Sequence, residues 1–283
     1  MNASRLITIV YLVAGAIGTA RGQQATFSSR IDAVRVDVLV IDASGPIRGL
    51  GPSDFEIRDN GVLQQIDLVS FEQIPLNVVL ALDMSDSVAG DRLDRLRAAG
   101  AAVLGGLQSG DQAALVTFSH VVRLAAKLSG DIGSVRTALA RASGAGSTSL
   151  VDGAFMGMQV GASDAGRELL IVFSDGLDTA SWLSADKVLD VAKRSDAVAY
   201  AVAARSRARP EFLRDLASFT GGRLFEVERT ERLDSIFVDI LQEFRQRYLI
   251  SYTPRGVAKE GWHKLDVRVK RSGTVKARPG YQS

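Results

Sequence analysis

The chain has 283 residues, 46% hydrophobic and 23% charged, with 34 basic against 32 acidic side chains and no cysteine. That suits a globular protein with room for one large domain, or a large and a small one. It excludes a disulfide-stapled scaffold and shows no basic excess of the kind a nucleic-acid partner requires.

Residues 1–5 carry Arg5 in a short positive start, residues 6–20 are apolar and small, and Ala20-Arg21-Gly22 has the makings of a cleavage site. This is the layout of a secretory signal peptide over residues 1–22, its apolar part short for a membrane span. The expectation is a secreted or periplasmic protein. The alternative is an uncleaved leader acting as an N-terminal anchor, the one route to a membrane. Cleavage after Gly22 removes Arg5 and Arg21 and no acid, leaving 32 basic against 32 acidic residues, so the formal charge of +2 says little about nucleic acid.

Beyond the leader, Val34, Val36, Val38 and Val40 alternate with Arg35, Asp37, Leu39 and Ile41, the period of a strand with a face in a core. Short strands are expected at residues 47–50 and 55–58. Asn60-Gly61 then supplies the hairpin signal, because a type I′ turn needs positive φ at both central positions. The chain is expected to return as one strand over residues 63–71. Residues 28–74 thus read as a small β segment, too short to bury much alone, and Pro75 closes it.

Residues 75–247 alternate strand and helix patterns, which argues for βαβ units around a parallel sheet. Val78 to Leu82 is a continuous apolar run, the mark of a strand buried on both faces. Leu93, Leu96, Val103, Leu104 and Leu107 share one helical face. Residues 113–118 and 121–124 are strands separated by little more than Ser119-His120, a hairpin at the sheet edge. Residues 131–142 and 150–162 read as helices, and residues 169–173 as a second central strand. Ser184 opens another helix, residues 198–203 another strand, and Pro210 a short helix that Gly221-Gly222 ends. From Thr230, residues Leu233, Ile236, Phe237, Ile240, Leu241 and Phe244 keep helical spacing without a break. Residues 248–283 return to β: a strand at 248–252, and Leu265, Val267 and Val269 alternating with polar residues. Neither β flank suffices for a core, so the expectation is that they pair into one β-sandwich-like unit with the α/β region inserted between them.

The candidate site begins where the first central strand ends, in Asp83, Ser85 and Ser87, three oxygen-bearing side chains at every second position. Ligand sites in open α/β sheets lie past the carboxyl ends of strands. Oxygen donors with no Cys or His nearby suit a hard cation such as Mg²⁺. The competing reading is that these residues cap the following helix. Two distant pieces bear on it: Thr148 opens a helical stretch, and the second central strand ends in Ser174-Asp175-Gly176.

An Asp-x-Ser-x-Ser, a later Thr and a later Asp-Gly resemble the von Willebrand factor type A domain with its metal-ion-dependent adhesion site, over roughly residues 75–247. The resemblance implies a doubly wound, mostly parallel Rossmann-like α/β sheet. It also implies Mg²⁺, with Mn²⁺ or Ca²⁺ possible, held by Asp83, Ser85, Ser87, Thr148 and Asp175. Ser85 and Ser87 would bind directly, Thr148 directly or through water, while Asp83 and Asp175 would orient hydroxyls and coordinated waters. The expected partner is a protein that supplies a Glu or Asp. Gly49-Leu50 with Asp54-Phe55, and Tyr248, Ile250, Tyr252 and Pro254, further resemble the secreted type A-related proteins of acidobacteria.

Other residues carry less. Asp86 and Asp178 read as solvated loop acids, Ser147 and Ser149 as helix caps, and Arg205, Arg207 and Arg209 as a basic connection. His120 and His263 are the only histidines, and neither has a Gly-x-Ser-x-Gly elbow. There is no Walker A loop and no Gly-x-Gly-x-x-Gly after a strand. The leading expectation is a non-enzymatic adhesion-type module. Its rivals are a metal-dependent hydrolase using the same cation and a structural subunit of a cell-envelope assembly. Oligomeric state leaves no trace in the sequence.

Overall fold

The computed structural model describes residues 33–71, 74–162, 166–175, 177–204 and 209–283. The leader expected at residues 1–22, Gly176, and Arg205 and Arg207 lie outside the described residues.

The amino-terminal flank contributes β1 (Val34–Asp42), β2 (Gly45–Pro46), β3 (Phe55–Asp59), β4 (Val62–Gln64) and β5 (Ile66–Ser70). Asn60 and Gly61 both hold positive φ, 47° and 85°, and join β3 to β4 as the hairpin signal requires. Two expectations fail here. Residues 47–50 form no strand; the short partner of β1 is β2 instead. The single strand expected over residues 63–71 breaks at Gln65, and its halves β4 and β5 belong to different sheets. The cause lies 191 residues away. Gln64 is buried, and its amide accepts from the Arg255 N–H at 2.9 Å and donates to the Arg255 carbonyl at 3.0 Å. This holds β4 while the chain crosses over.

The α/β region runs β6 (Leu76–Asp83), α1 (Asp91–Gly105), β7 (Gln112–Phe118), β8 (Val122–Ser129), α2 (Ile132–Arg141), α3 (Leu150–Gly161), β9 (Arg167–Ser174), α4 (Ala185–Arg194), β10 (Val198–Ala204), α5 (Glu211–Thr220), β11 (Leu224–Val227) and α6 (Leu233–Arg245). Its sheet has the order β11-β10-β9-β6-β7-β8, parallel throughout except for the β7–β8 hairpin at one edge. Every residue of β6 and β9 is buried, which is why their central stretches, residues 78–82 and 169–173, read as unbroken apolar runs. Alternate residues face opposite layers. Val78, Leu80 and Leu82 pack with Leu96, Val103, Leu139, Phe237 and Ile240 of α1, α2 and α6. Val79 and Ala81 pack with Ala154, Met158, Leu189 and Leu216 of α3, α4 and α5. The sheet is doubly wound.

After α6 the chain re-enters the β unit as β12 (Tyr248–Tyr252), β13 (Trp262–Val269), β14 (Thr274–Lys276) and β15 (Gly280–Gln282). β12 lies between β1 and β5, antiparallel to both, and β13 pairs with β3. Two antiparallel sheets result, one built on β14-β1-β12-β5 and the other on β15-β13-β3-β4. They share a core of Val36, Val38, Val40, Phe55, Ile57, Tyr248, Ile250, Tyr252 and Leu265. Both flanks are needed to build each sheet.

Candidate metal centre

Asp83 ends β6 and is fully buried. Its Oδ1 accepts the Ser85 N–H at 2.8 Å, and its Oδ2 accepts the hydroxyl of Ser174, the last residue of β9, at 2.7 Å. One carboxylate thus fixes the turn after β6 and stitches it to the neighbouring strand. Burial pushes its pKa above the ordinary value; the hydrogen bonds from Ser85 and Ser174 oppose that rise, and the charge of Asp175 adds to it.

From there a line of short oxygen contacts runs outward. Ser85 Oγ is 3.0 Å from Ser87 Oγ, and the Ser87 hydroxyl donates to Asp175 Oδ1 at 2.6 Å. The other oxygen of Asp175 is held by the Arg92 guanidinium, whose Nη1 also donates to the Ser87 carbonyl at 2.8 Å. None of these residues caps α1, whose N-cap is Gly90. Ser85 sits at the N-cap of the short turn at residues 86–88 but makes no side-chain cap bond there, its hydroxyl facing Ser87 instead. The capping reading of this motif therefore fails.

Thr148 reaches the same end of the sheet on a separate loop. The Asp86 N–H donates to the Gly146 carbonyl at 3.0 Å, and the Ser149 N–H to the Ser119 carbonyl at 2.7 Å. At Gly144 the loop presses so closely on the Asp83 turn that a Cβ would fall 1.5 Å from the Met84 carbonyl oxygen. Thr148 itself is buried, its N–H donating to Thr179 Oγ1 at 3.0 Å and its carbonyl accepting from Thr179 and Ala180. Asp83, Ser85, Ser87 and Asp175 are thus joined by hydrogen bonds and Thr148 is packed beside them. Among the described residues no hydrogen bond links the Thr148 hydroxyl to the other four.

The remaining residues fall out as follows. Asp86 is exposed, as expected of a loop acid. Asp178 is exposed too, yet it braces a helix, since its Oδ1 accepts the Val151 N–H at 3.2 Å in the first turn of α3. Ser149 occupies the N-cap of α3 without a side-chain cap bond, and Ser147 is exposed. His120 stands at the β7–β8 turn with Nδ1 3.0 Å from the Ala145 carbonyl, so it abuts the Thr148 loop. His263 lies in the β unit, paired with Asp59 at 2.8 Å. Sequence reasoning missed Arg92 and Ser174. The signal for Ser174 was its place beside Asp175; for Arg92 it was a basic residue in the first turn of a helix, where the macrodipole disfavours a cation.

Beside the site, residues including His120, Ser149, Asp152, Phe155, Trp182 and Leu183 line a hollow of about 440 Å³. Trp182 is 96% exposed, yet its loop is tied down: the Asp152 carboxylate accepts the N–H groups of Trp182 and Leu183, each at 2.9 Å.

The donor set suits a hard or borderline divalent cation: two carboxylates and neighbouring hydroxyls, with Ser85 and Ser87 already converging. Among the described residues no group of three or more His, Cys, Asp or Glu side chains gathers as a metal site. A site here must therefore draw on hydroxyls.

A doubly wound sheet with oxygen donors past the carboxyl ends of its two central strands defines an α/β ligand-binding domain. Residues 77–239, more than half of the chain, match the von Willebrand factor type A domain, and the chain belongs to that family. No curated protein matches it by sequence. Among solved structures it is similar to proximal thread matrix protein 1 from the mussel byssus, at 14% identity and a TM-score of 0.55. That match covers 64% of this chain and 49% of the mussel chain, so the chain spans about half the length of that protein. A second form of the mussel protein, described as having a zinc-occupied MIDAS motif, matches at the same identity and TM-score, over 64% of this chain and 48% of the other. A von Willebrand factor type A protein from Catenulispora acidiphila matches at 14% identity and a TM-score of 0.55, over 84% of this chain and 73% of its own. At such identities the likeness is one of fold.

Proposed function

We propose that this chain is an exported, non-enzymatic binding module that uses a divalent cation to hold a Glu or Asp of a protein partner. The favoured ion is Mg²⁺, with Mn²⁺ or Ca²⁺ as alternatives. The observation that carries this reading is the line of contacts from Asp83 through Ser85 and Ser87 to Asp175. Ser85, Ser87 and Thr148 would hold the ion through their hydroxyls. Asp83 keeps the Ser85 turn in place, and Asp175 orients the Ser87 hydroxyl. A cation bound there supplies an electrophilic position for a carboxylate oxygen, because neutral hydroxyl ligands leave most of its charge uncompensated.

The same reading covers organisation and place. Residues 1–22 are the export signal, and residues 75–247 are the binding domain, inserted between β segments at 28–74 and 248–283. A location outside the cytoplasm, secreted or periplasmic, fits the adhesion role. Among the described residues no helix is long and apolar enough to cross a membrane.

The test is calorimetric titration of Mg²⁺, Mn²⁺, Ca²⁺ and Zn²⁺ into the purified protein and into Ser85→Ala. The native chain should bind one ion with a Kd on the order of 0.1–1 mM, the range of extracellular modules. Ser85→Ala should weaken it about tenfold or more. Equal, weaker-than-millimolar binding by both proteins would sink the metal reading. Capture of a partner from envelope extract should vanish with EDTA and with Ser85→Ala alike.

A further inference from the structure

We infer that Arg92 is a built-in competitor for the metal centre, a tethered guanidinium that occupies Asp175 until a divalent cation displaces it. The inference rests on the metal reading above and adds to it a control on when the site can load.

The geometry supplies three reasons. First, Asp175 is a buried carboxylate, its side chain 1% exposed, and a buried charge needs a counter-charge. Among the described residues its other oxygen takes the neutral Ser87 hydroxyl, and Arg92 is the cation that balances it. Second, the Arg92 side chain is 41% exposed and stands in the first turn of α1, just past Gly90. It can swing into solvent without disturbing the core, as the buried arginines elsewhere in the chain cannot. Third, a cation in the first turn of a helix is opposed by the macrodipole. Its placement there gains nothing for α1 and is explained by what it touches, the Ser87 carbonyl and Asp175.

A guanidinium and a divalent ion cannot share the Ser87–Asp175 end of the site at contact distance without like-charge repulsion. Loading therefore requires Arg92 to leave, and the apparent affinity is lowered by the fraction of molecules in which it has left. If that fraction is about one in ten, removing the guanidinium tightens binding about tenfold.

The experiment is Mn²⁺ titration of the native protein, Arg92→Ala, Arg92→Lys and Ser85→Ala, followed by calorimetry and by loss of the free Mn²⁺ paramagnetic signal, each variant first checked for native circular dichroism. Arg92→Ala should bind about tenfold tighter than native, with Arg92→Lys between, because lysine keeps the counter-charge but carries it on a more strongly hydrated head group without the guanidinium's fixed donor geometry. Thermal melts give an independent readout. Without metal, Arg92→Ala should melt below native, and saturating Mn²⁺ should raise its Tm by more than it raises the native one. Arg92→Ala binding with equal or lower affinity, while native binds and Ser85→Ala binds far more weakly, overturns this inference and leaves the metal centre standing. No binding by native and Arg92→Ala alike overturns both.

Discussion

The two ends of the central sheet bury carboxylates in opposite ways. At the amino ends of β6, β7 and β9, each largely buried Asp meets a long cation that is itself largely buried. Asp37 accepts Arg167 Nε at 2.8 Å, their side chains 9% and 4% exposed. Asp111 pairs with Arg245 and takes the N–H groups of Leu76 and Gln108 at 2.9 and 2.7 Å. The β unit also closes off a buried carboxylate, Asp59, whose oxygens lie 2.8 Å from His263 Nδ1 and accept the hydroxyls of Tyr252 and Tyr281. At the carboxyl ends, Asp83 and Asp175 meet short hydroxyls and a single half-exposed arginine. Long buried partners close a carboxylate off, and a closed pair serves cohesion. Short partners leave carboxylate and hydroxyl oxygens in contact with one another, the arrangement the proposed cation would draw on. The residue type is the same; the reach of its neighbours assigns the role.

The sharpest way to break that contrast is to delete one side chain from each end. Asp37→Ala strands Arg167 in the interior and should cost about 3–5 kcal/mol in urea denaturation. Ser85→Ala, at the other end, should cost less than about 1 kcal/mol while weakening metal binding about tenfold or more. Comparable losses of stability from both would erase the distinction.

Glu168 is the exception at the amino end, and pH exposes it. Its Oε1 is buried with no hydrogen-bond partner among the described residues, and burial first, then the charge of Asp196, pushes its pKa up to about 8. The folded value thus lies above the 4.5 of a free glutamate. Between about pH 4.5 and 8 the native state keeps a proton that the unfolded chain has lost. Stability should therefore fall as pH rises through that window and level off above it. Glu168→Gln should flatten the slope and exceed the native protein by on the order of 2 kcal/mol near pH 8.5, measured by urea midpoints across pH. A native protein whose stability is level from pH 5 to 8 would remove Glu168 from the contrast.

A smaller effect sharpens the carboxyl end itself. Gly144→Ala sets a methyl against the Met84 carbonyl and must push the Thr148 loop off the Asp83 turn. The expected loss is about 1–2 kcal/mol, an overpacking cost, with weaker Mg²⁺ binding at the same time. Unchanged metal affinity would show that the Thr148 loop does not contribute to the site.

Much of this was legible because burial on two faces writes itself into the chain. The central stretches of β6 and β9, residues 78–82 and 169–173, are apolar without interruption since helices cover both sides, and the helical spacing from Leu233 to Phe244 is kept since one face of α6 lies on the sheet. β11, β14 and β15, of four, three and three residues, were not readable. They are too short to show a period, and β14 has its place through pairing with β1. The break at Gln65 was hidden for a related reason: its cause, Gln64 bound to Arg255, is a contact between the two flanks.

By itself the sequence determined the family and the alternation of strands and helices, and it offered five oxygen-bearing residues as the candidate centre, because these depend on local period and on side-chain type. The tertiary structure alone decided that Ser174 braces Asp83, that Arg92 sits on Asp175 and that the two β flanks close into one core. Those are contacts between segments far apart in the chain, and no local pattern encodes which distant residue arrives.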